Sequence, residues 1–175
     1  MIINNQSIKN ALQYIKKQVT FIFVLLVVAV GVFNIAFNHS RIRVFVNDAM
    51  VKRAQIILDN EETDDLQNYF NLECIEKDEY LNSKPYEKYS VTKFDHELEI
   101  EMVATGWIMP KRATVYVKQS IEDIRGQYKG SKADKGDLPD VPFDFEDMMY
   151  KVKMKKEDGR WYIVSLKPVR SIQWY

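Results

Sequence analysis

Cysteine and histidine carry much of the chemistry that proteins do near neutral pH, and this sequence is sparing with both. It has one cysteine, Cys74, and two histidines, His39 and His96, far apart. A single thiol permits no intrachain disulfide and no two-cysteine metal or redox motif. His39 closes an apolar stretch, so a triad or a general acid–base pair would have to be built around His96. His96 shares the register of Phe94, Leu98, Ile100 and Met102, which turns its imidazole toward the apolar side of a strand. There it is either a proton-transfer group in a cavity, with Tyr116, Tyr150 and Tyr162 as donors, or a hydrogen-bonded core histidine. The second is the expectation. Cys74 follows a helical stretch without a basic helper, so it reads as a small buried hydrophobe, not a nucleophile. The patterns GxxxxGK[ST], GxGxxG, HExxH and GxSxG do not occur. No catalytic residue, cofactor-binding residue or metal ligand is assigned, and the chain is expected not to be an enzyme.

Charge, by contrast, is plentiful. The 25 Lys and Arg balance the 25 Asp and Glu, but not evenly along the chain. Residues 1–40 carry Lys9, Lys16 and Lys17 and no acid, which leaves a small acidic excess in the rest. Without a concentrated basic surface, nucleic acid is not expected as a partner. Two rows of charge alternate with apolar residues: Asp95, Glu97, Glu99 and Glu101, then Lys151, Lys153 and Lys155. On neighbouring strands these rows would form a cross-strand ladder. Otherwise each is a solvated sheet face or a docking surface for a charged partner.

The elements that position these residues begin with a membrane segment. Between Lys17 and Arg41 no residue from Val19 to Ser40 is charged, and Phe21–Phe37 is apolar apart from Gly31 and Asn34. As a helix this stretch is about 33 Å long, enough for a hydrocarbon core of about 30 Å. A signal peptide cleaved after small residues such as Ala29 and Gly31 fits less well, because the apolar stretch continues past them and a long polar tail precedes it. The expected organisation is a short basic tail over residues 1–18, a transmembrane helix over 19–40, and an α+β domain over 41–175. Basic residues flank the span on both sides, so the positive-inside rule does not choose an orientation. A domain with work in the cytosol would not need the anchor, which favours a cell-membrane protein with an extracytoplasmic domain.

Residues 41–72 have helical spacing, with Ile42, Phe45, Ala49 and Ile56 on one face and Asp48, Lys52, Gln55 and Asp59 opposite. Thr63, followed by two acids, predicts a second helix with Leu66, Tyr69 and Phe70 on its buried side. From Tyr86 the period becomes 2. Strands are predicted over Thr92–Met102, Ala113–Gln119, Met148–Lys155 and Trp161–Leu166, with a turn around Trp107 and Ile108. Residues 126–142 read as loop, Pro168 limits the last strand, and Ile172 and Trp174 dock the C-terminus. Asp158-Gly159 is the strongest hairpin signal.

An amphipathic helix, a shorter helix and a meander closing on DGRWYIVSL resemble the nuclear transport factor two-like superfamily over residues 42–168. The resemblance rests on the helix pair Ala49–Phe70 and the ending Lys151–Leu166. It implies a cone-like domain, with helices packed on a curved, mostly antiparallel sheet. Within that superfamily the anchored layout is similar to inner-membrane assembly factors of type IV secretion and conjugation systems. Similar anchored domains also occur in Gram-positive envelope and sporulation proteins. The function so implied is a scaffold subunit of a bacterial cell-envelope complex, held by residues 19–40 and contacting other envelope proteins and itself. The alternative is a ligand-binding or enzymatic cone with His96 in its cavity.

Overall fold

The structure is a computed structural model that describes residues 5–59, 62–106, 110–130, 136, 138–143 and 145–169, the side chains of 5–12 and 146 excepted. The turn expected at Trp107 and the docking of Ile172 and Trp174 lie outside these residues. The chain is α+β. Helix α1 (Asn5–Asp59) is followed by a 3-10 helix (Thr63–Asn68), α2 (Leu72–Glu76) and α3 (Glu79–Ser83). Then come β1 (Tyr89–Thr105), β2 (Arg112–Tyr128), β3 (Phe145–Glu157) and β4 (Arg160–Val169). Two units are distinguished, Met1–Ser40 and Arg41–Tyr175.

In the first unit the helix is apolar on every side, with Phe21, Leu26 and Phe33 exposed by 65%, 59% and 71%. A helix apolar all round suits lipid rather than water. It is long and apolar enough to cross a membrane, which is consistent with an anchor. Two of its polar side chains turn back on the helix. Thr20 Oγ1 donates to the Lys16 carbonyl at 2.8 Å, and Asn38 Nδ2 donates to the Asn34 carbonyl at 2.9 Å. Such return bonds are how a helix satisfies polar groups where water is absent.

In the second unit Ile42, Val46, Ala49, Met50, Ala54 and Ile57 recur at helical spacing and are at most 3% exposed. This stripe packs on one face of an open four-stranded antiparallel sheet ordered β1-β2-β3-β4, with Phe94, Leu98 and Ile100 of β1 half-buried at its margin. Val115, Val117, Ile121, Val152, Met154 and Ile163 meet it from the sheet. The second helix expected at Thr63 is a 3-10 turn, yet Leu66 and Phe70 are buried as expected. Phe70 forms a parallel bridge to Ile163, with Asn71 N–H on the Ile163 carbonyl at 3.0 Å.

The strands outrun their expected bounds. Strand β2 continues through Gly126 to Tyr128, which were expected in a loop. Glycine is there for space rather than for a turn, because a Cβ at residue 126 would lie 2.5 Å from the Ser90 carbonyl oxygen. Tyr86 and Tyr89 tie down the following segment by donating to the Phe143 and Pro139 carbonyls at 3.1 and 3.2 Å. Strand β4 carries Pro168 inside it, opposite Tyr150. An edge strand tolerates this, since its outward N–H has no ladder partner to lose. The turn at Asp158-Gly159 is as expected, with φ of +46° and +83° at its two residues.

Two expectations about faces are corrected. The acidic and lysine rows are not on neighbouring strands, because β2 lies between β1 and β3, so no ladder joins them. A bulge between Ile100 and Met102 also shifts the phase of β1. Val103, opposite Val115, packs on the core in place of Met102, which lies opposite Tyr116. One extra residue in a strand exchanges its faces, and alternation alone does not reveal where that happens.

Candidate functional site

The stripe on α1 contains a charge. Arg53 lies on the buried face beside Met50, Ala54 and Ile57 and is 1% exposed. It is held by Asp78, the N-cap of α3. Arg53 Nε donates to Oδ2 at 2.6 Å and Nη2 to Oδ1 at 2.9 Å, a two-pronged bond. Oδ1 also accepts from the backbone N–H groups of Tyr80 and Leu81, at 3.1 and 3.4 Å. One carboxylate therefore starts a helix and neutralises a buried cation. The guanidinium carbon lies 5.7 Å from the Tyr80 ring centroid and 5.3 Å from that of Tyr150. Arg53 Nη1 and Tyr150 Oη are buried without a hydrogen bond of acceptable geometry. Burial pushes the Tyr150 phenol up, while the Arg53 charge pulls it the other way.

Arg53, Cys74, Tyr80 and Tyr150 line a cavity of about 450 Å³, with Glu73, Lys77 and Lys167 among its other walls. The Cys74 backbone N–H is held by the Asn71 side chain at 3.0 Å. Burial, with Asp78 nearby, pushes its thiol up to about 11, so it stays protonated at neutral pH. The cavity thus offers a cation already matched by Asp78, a protonated thiol and two phenols, with the Glu73–Lys77 ion pair and Lys167 on its walls. Among the described residues no group of three or more His, Cys, Asp or Glu is arranged to hold a metal ion. Arg53 was not singled out from the sequence. Its position one turn after Met50 and one before Ile57 was the available sign, since that spacing puts it on the core side of the helix.

His96 lies elsewhere. It faces Ile121 across the β1–β2 ladder, and its Nε2 is 2.9 Å from Nε2 of Gln119, a residue with no exposed surface. The Gln119 amide nitrogen donates and the imidazole accepts, and Oε1 of Gln119 is left without a partner. Burial lowers the His96 pKa, favouring the neutral ring. His96 lines neither the cavity at Arg53 nor a second one between α1, the 3-10 helix, α2 and α3. It is half-buried in the sheet as a hydrogen-bonded histidine.

The other face of the sheet is covered by no described element. Asp95, Glu97 and Glu99 are exposed on β1, opposite Glu122, Ser120 and Lys118 of β2. Ser120 Oγ lies 2.5 Å from Asp147 Oδ1 and 3.0 Å from Glu122 Oε1, which gathers further carboxylates at this end. At the other end Arg112 pairs with Lys155 and Thr114 with Lys153, and on the middle rung Tyr116 pairs with Lys151, which faces Lys167 on β4. Lys151 Nζ stands 5.5 Å from the Tyr116 ring centroid. The face is therefore divided, with an acidic corner at β1, a basic corner at β3 and β4, and half-exposed Met102, Tyr116, Met149 and Tyr162 between and around them.

A scan against protein-family models, a search of curated proteins and a search of solved structures each return no match for this chain.

Proposed function

We propose that this chain is a non-catalytic, single-pass membrane protein whose C-terminal domain acts outside the cell membrane as an assembly or scaffold subunit of a bacterial envelope complex. Conjugative transfer or secretion is the system its layout resembles most, and the nuclear transport factor two-like cone is the fold that this reading assigns to the domain. The observation that carries the proposal is the open sheet. One face packs on the α1 stripe, while the other bears separated acidic and basic regions and half-exposed Tyr and Met side chains. Tyr and Met are the residue types that gather at protein interfaces, with charge at the rim. An apolar helix long enough to span a bilayer supports the anchored part of the reading.

The test is protease digestion of a C-terminal tag on intact protoplasts, followed by crosslinking in the native envelope. Digestion from outside, with the domain crosslinked to envelope proteins or to itself, is the expected result. A protected tag would turn the reading into one of a cytosol-facing regulator. A second reading, a small-ligand domain, is favoured by the cavity at Arg53 and Tyr150 and does not involve His96.

A further inference from the structure

We infer that the uncovered sheet face docks a second copy of this chain, face to face, about a two-fold axis that sets the acidic corner of each copy on the basic corner of the other. The inference rests on the assembly reading and names its partner. Three observations lead to it.

The first is the placement of charge. Asp95, Glu97 and Glu99 occupy the β1 edge toward one end of the strands, with Glu122 and Asp147 beside them. Lys153 and Lys155 occupy β3 toward the opposite end, with Arg112 alongside, and Lys151 and Lys167 follow them on the middle rung, level with Tyr116. The two sets are diagonal to one another on one face. A two-fold axis in the plane of contact, running along the other diagonal, exchanges those corners. An isologous dimer then makes every acid-to-base contact twice, and the strands of the two sheets cross steeply, as in orthogonal sheet packings. An axis perpendicular to the strands would instead stack β1 on β1, setting part of the acidic edge against the same strand of its partner.

The second observation is that most of these charges have little to occupy them within the copy, the exception being Glu99, which faces Lys118 across the β1–β2 ladder. Lys93 reaches Asp95 at 3.5 Å and Lys155 reaches Glu157 at 2.7 Å, both at the margins of the face. Glu97, Glu99 and Lys153 make no ion pair with a described residue. The third is size. Four strands of about 10 paired residues make a face of about 600 Å², and a steep crossing brings roughly the central 400 Å² of each copy together, the extent of a small, charge-directed interface. Tyr116 and Met149, on adjacent strands, lie near the middle of the face, where an interface is driest.

The test is energy transfer between full-length chains carrying donor and acceptor tags, reconstituted in lipid vesicles over a lipid-dilution series. Two charge-reversed variants are compared with the parent, Glu97→Lys/Glu99→Lys and Lys151→Glu/Lys153→Glu. Each alone is expected to weaken association about tenfold or more, because both copies of the contact become repulsive. Mixed together they should associate as the parent does, since acid again meets base at both corners. That recovery also shows that both variants fold. Association indifferent to both reversals, or a mixture that fails to recover, would overturn the inference. So would a parent that shows no energy transfer. In that last case a photocrosslinker at Tyr116 in the native membrane separates the two levels of the argument. Adducts with a different envelope protein leave the assembly reading standing and remove only the second copy as its partner. No adduct at all removes both.

Discussion

Arg53 and Asp78 give the sharpest test of how the domain is held together. Replacing Arg53 by Met keeps a long unbranched stem on the α1 stripe but deletes the cation. Asp78, whose side chain is 6% exposed, would then keep its negative charge with only the two N–H groups of α3 to stabilise it. Removing one member of a buried pair costs about 3–5 kcal/mol, because the surviving charge is left desolvated and unmatched. Asp78→Asn retains a capping oxygen and strands the Arg53 guanidinium instead, so its cost should be similar. The double variant Arg53→Met/Asp78→Asn removes both charges and keeps the cap. Its cost should fall to about 1 kcal/mol, because buried pairs are often replaceable by apolar groups with little loss. The assay is urea unfolding of the full chain in mild detergent, followed by tryptophan fluorescence, to complete the double-mutant cycle. A coupling energy above about 2 kcal/mol is expected. Single variants costing under about 1 kcal/mol, or a double variant equal to the sum of its singles, would refute the reasoning.

Three further outcomes follow from named residues. Gly126→Ala sets a methyl 2.5 Å from the Ser90 carbonyl oxygen, which is rigid backbone, so it should lower stability by about 2 kcal/mol in the same urea assay. His96 takes up a proton less readily when folded than its ordinary value near 6.5 allows. Stability should therefore be full above pH 6.5 and fall as the pH drops toward the depressed folded value, because the unfolded chain binds the extra proton. In His96→Gln the melting temperature should change less between pH 7.5 and pH 5 than in the parent. Cys74, with its thiol raised to about 11 and buried, should resist a thiol-specific disulfide reagent at pH 8 in the folded chain and react at once in urea. Rapid labelling of the folded chain would contradict its burial.

Much of the fold was legible because its signals are local and repeat. The buried face of α1 at Ile42, Ala49 and Ile56, the alternation around Val152 and the Asp158-Gly159 turn each follow from a period or a backbone preference. Val46, Met50 and Ile57 share that face, however, and Phe45 is only half-buried. Helices α2 and α3 were not legible, since elements of five residues are too short to carry a period. Their start signals were present in Asn71 and Asp78, whose side chains cap Cys74 and Tyr80. The bulge at Ile100 and the role of Gly126 depend on the partner strand, which no local pattern names. Arg53 was missed for a related reason. A charge on an apolar stripe reads as an interruption until its acid, distant in sequence, is brought alongside.

If this domain presents its uncovered sheet face to a protein partner at the membrane, that face lies within crosslinking reach of the partner and the exposed side of α1 does not. The most direct measurement places a photocrosslinking side chain at Tyr116, on that face, and in a second variant at Asp48, on the exposed side of α1, in the full chain in its native membrane. Covalent adducts are expected from residue 116 and none of comparable yield from residue 48. Adducts from residue 48 alone, or from neither position, would contradict that role for the face.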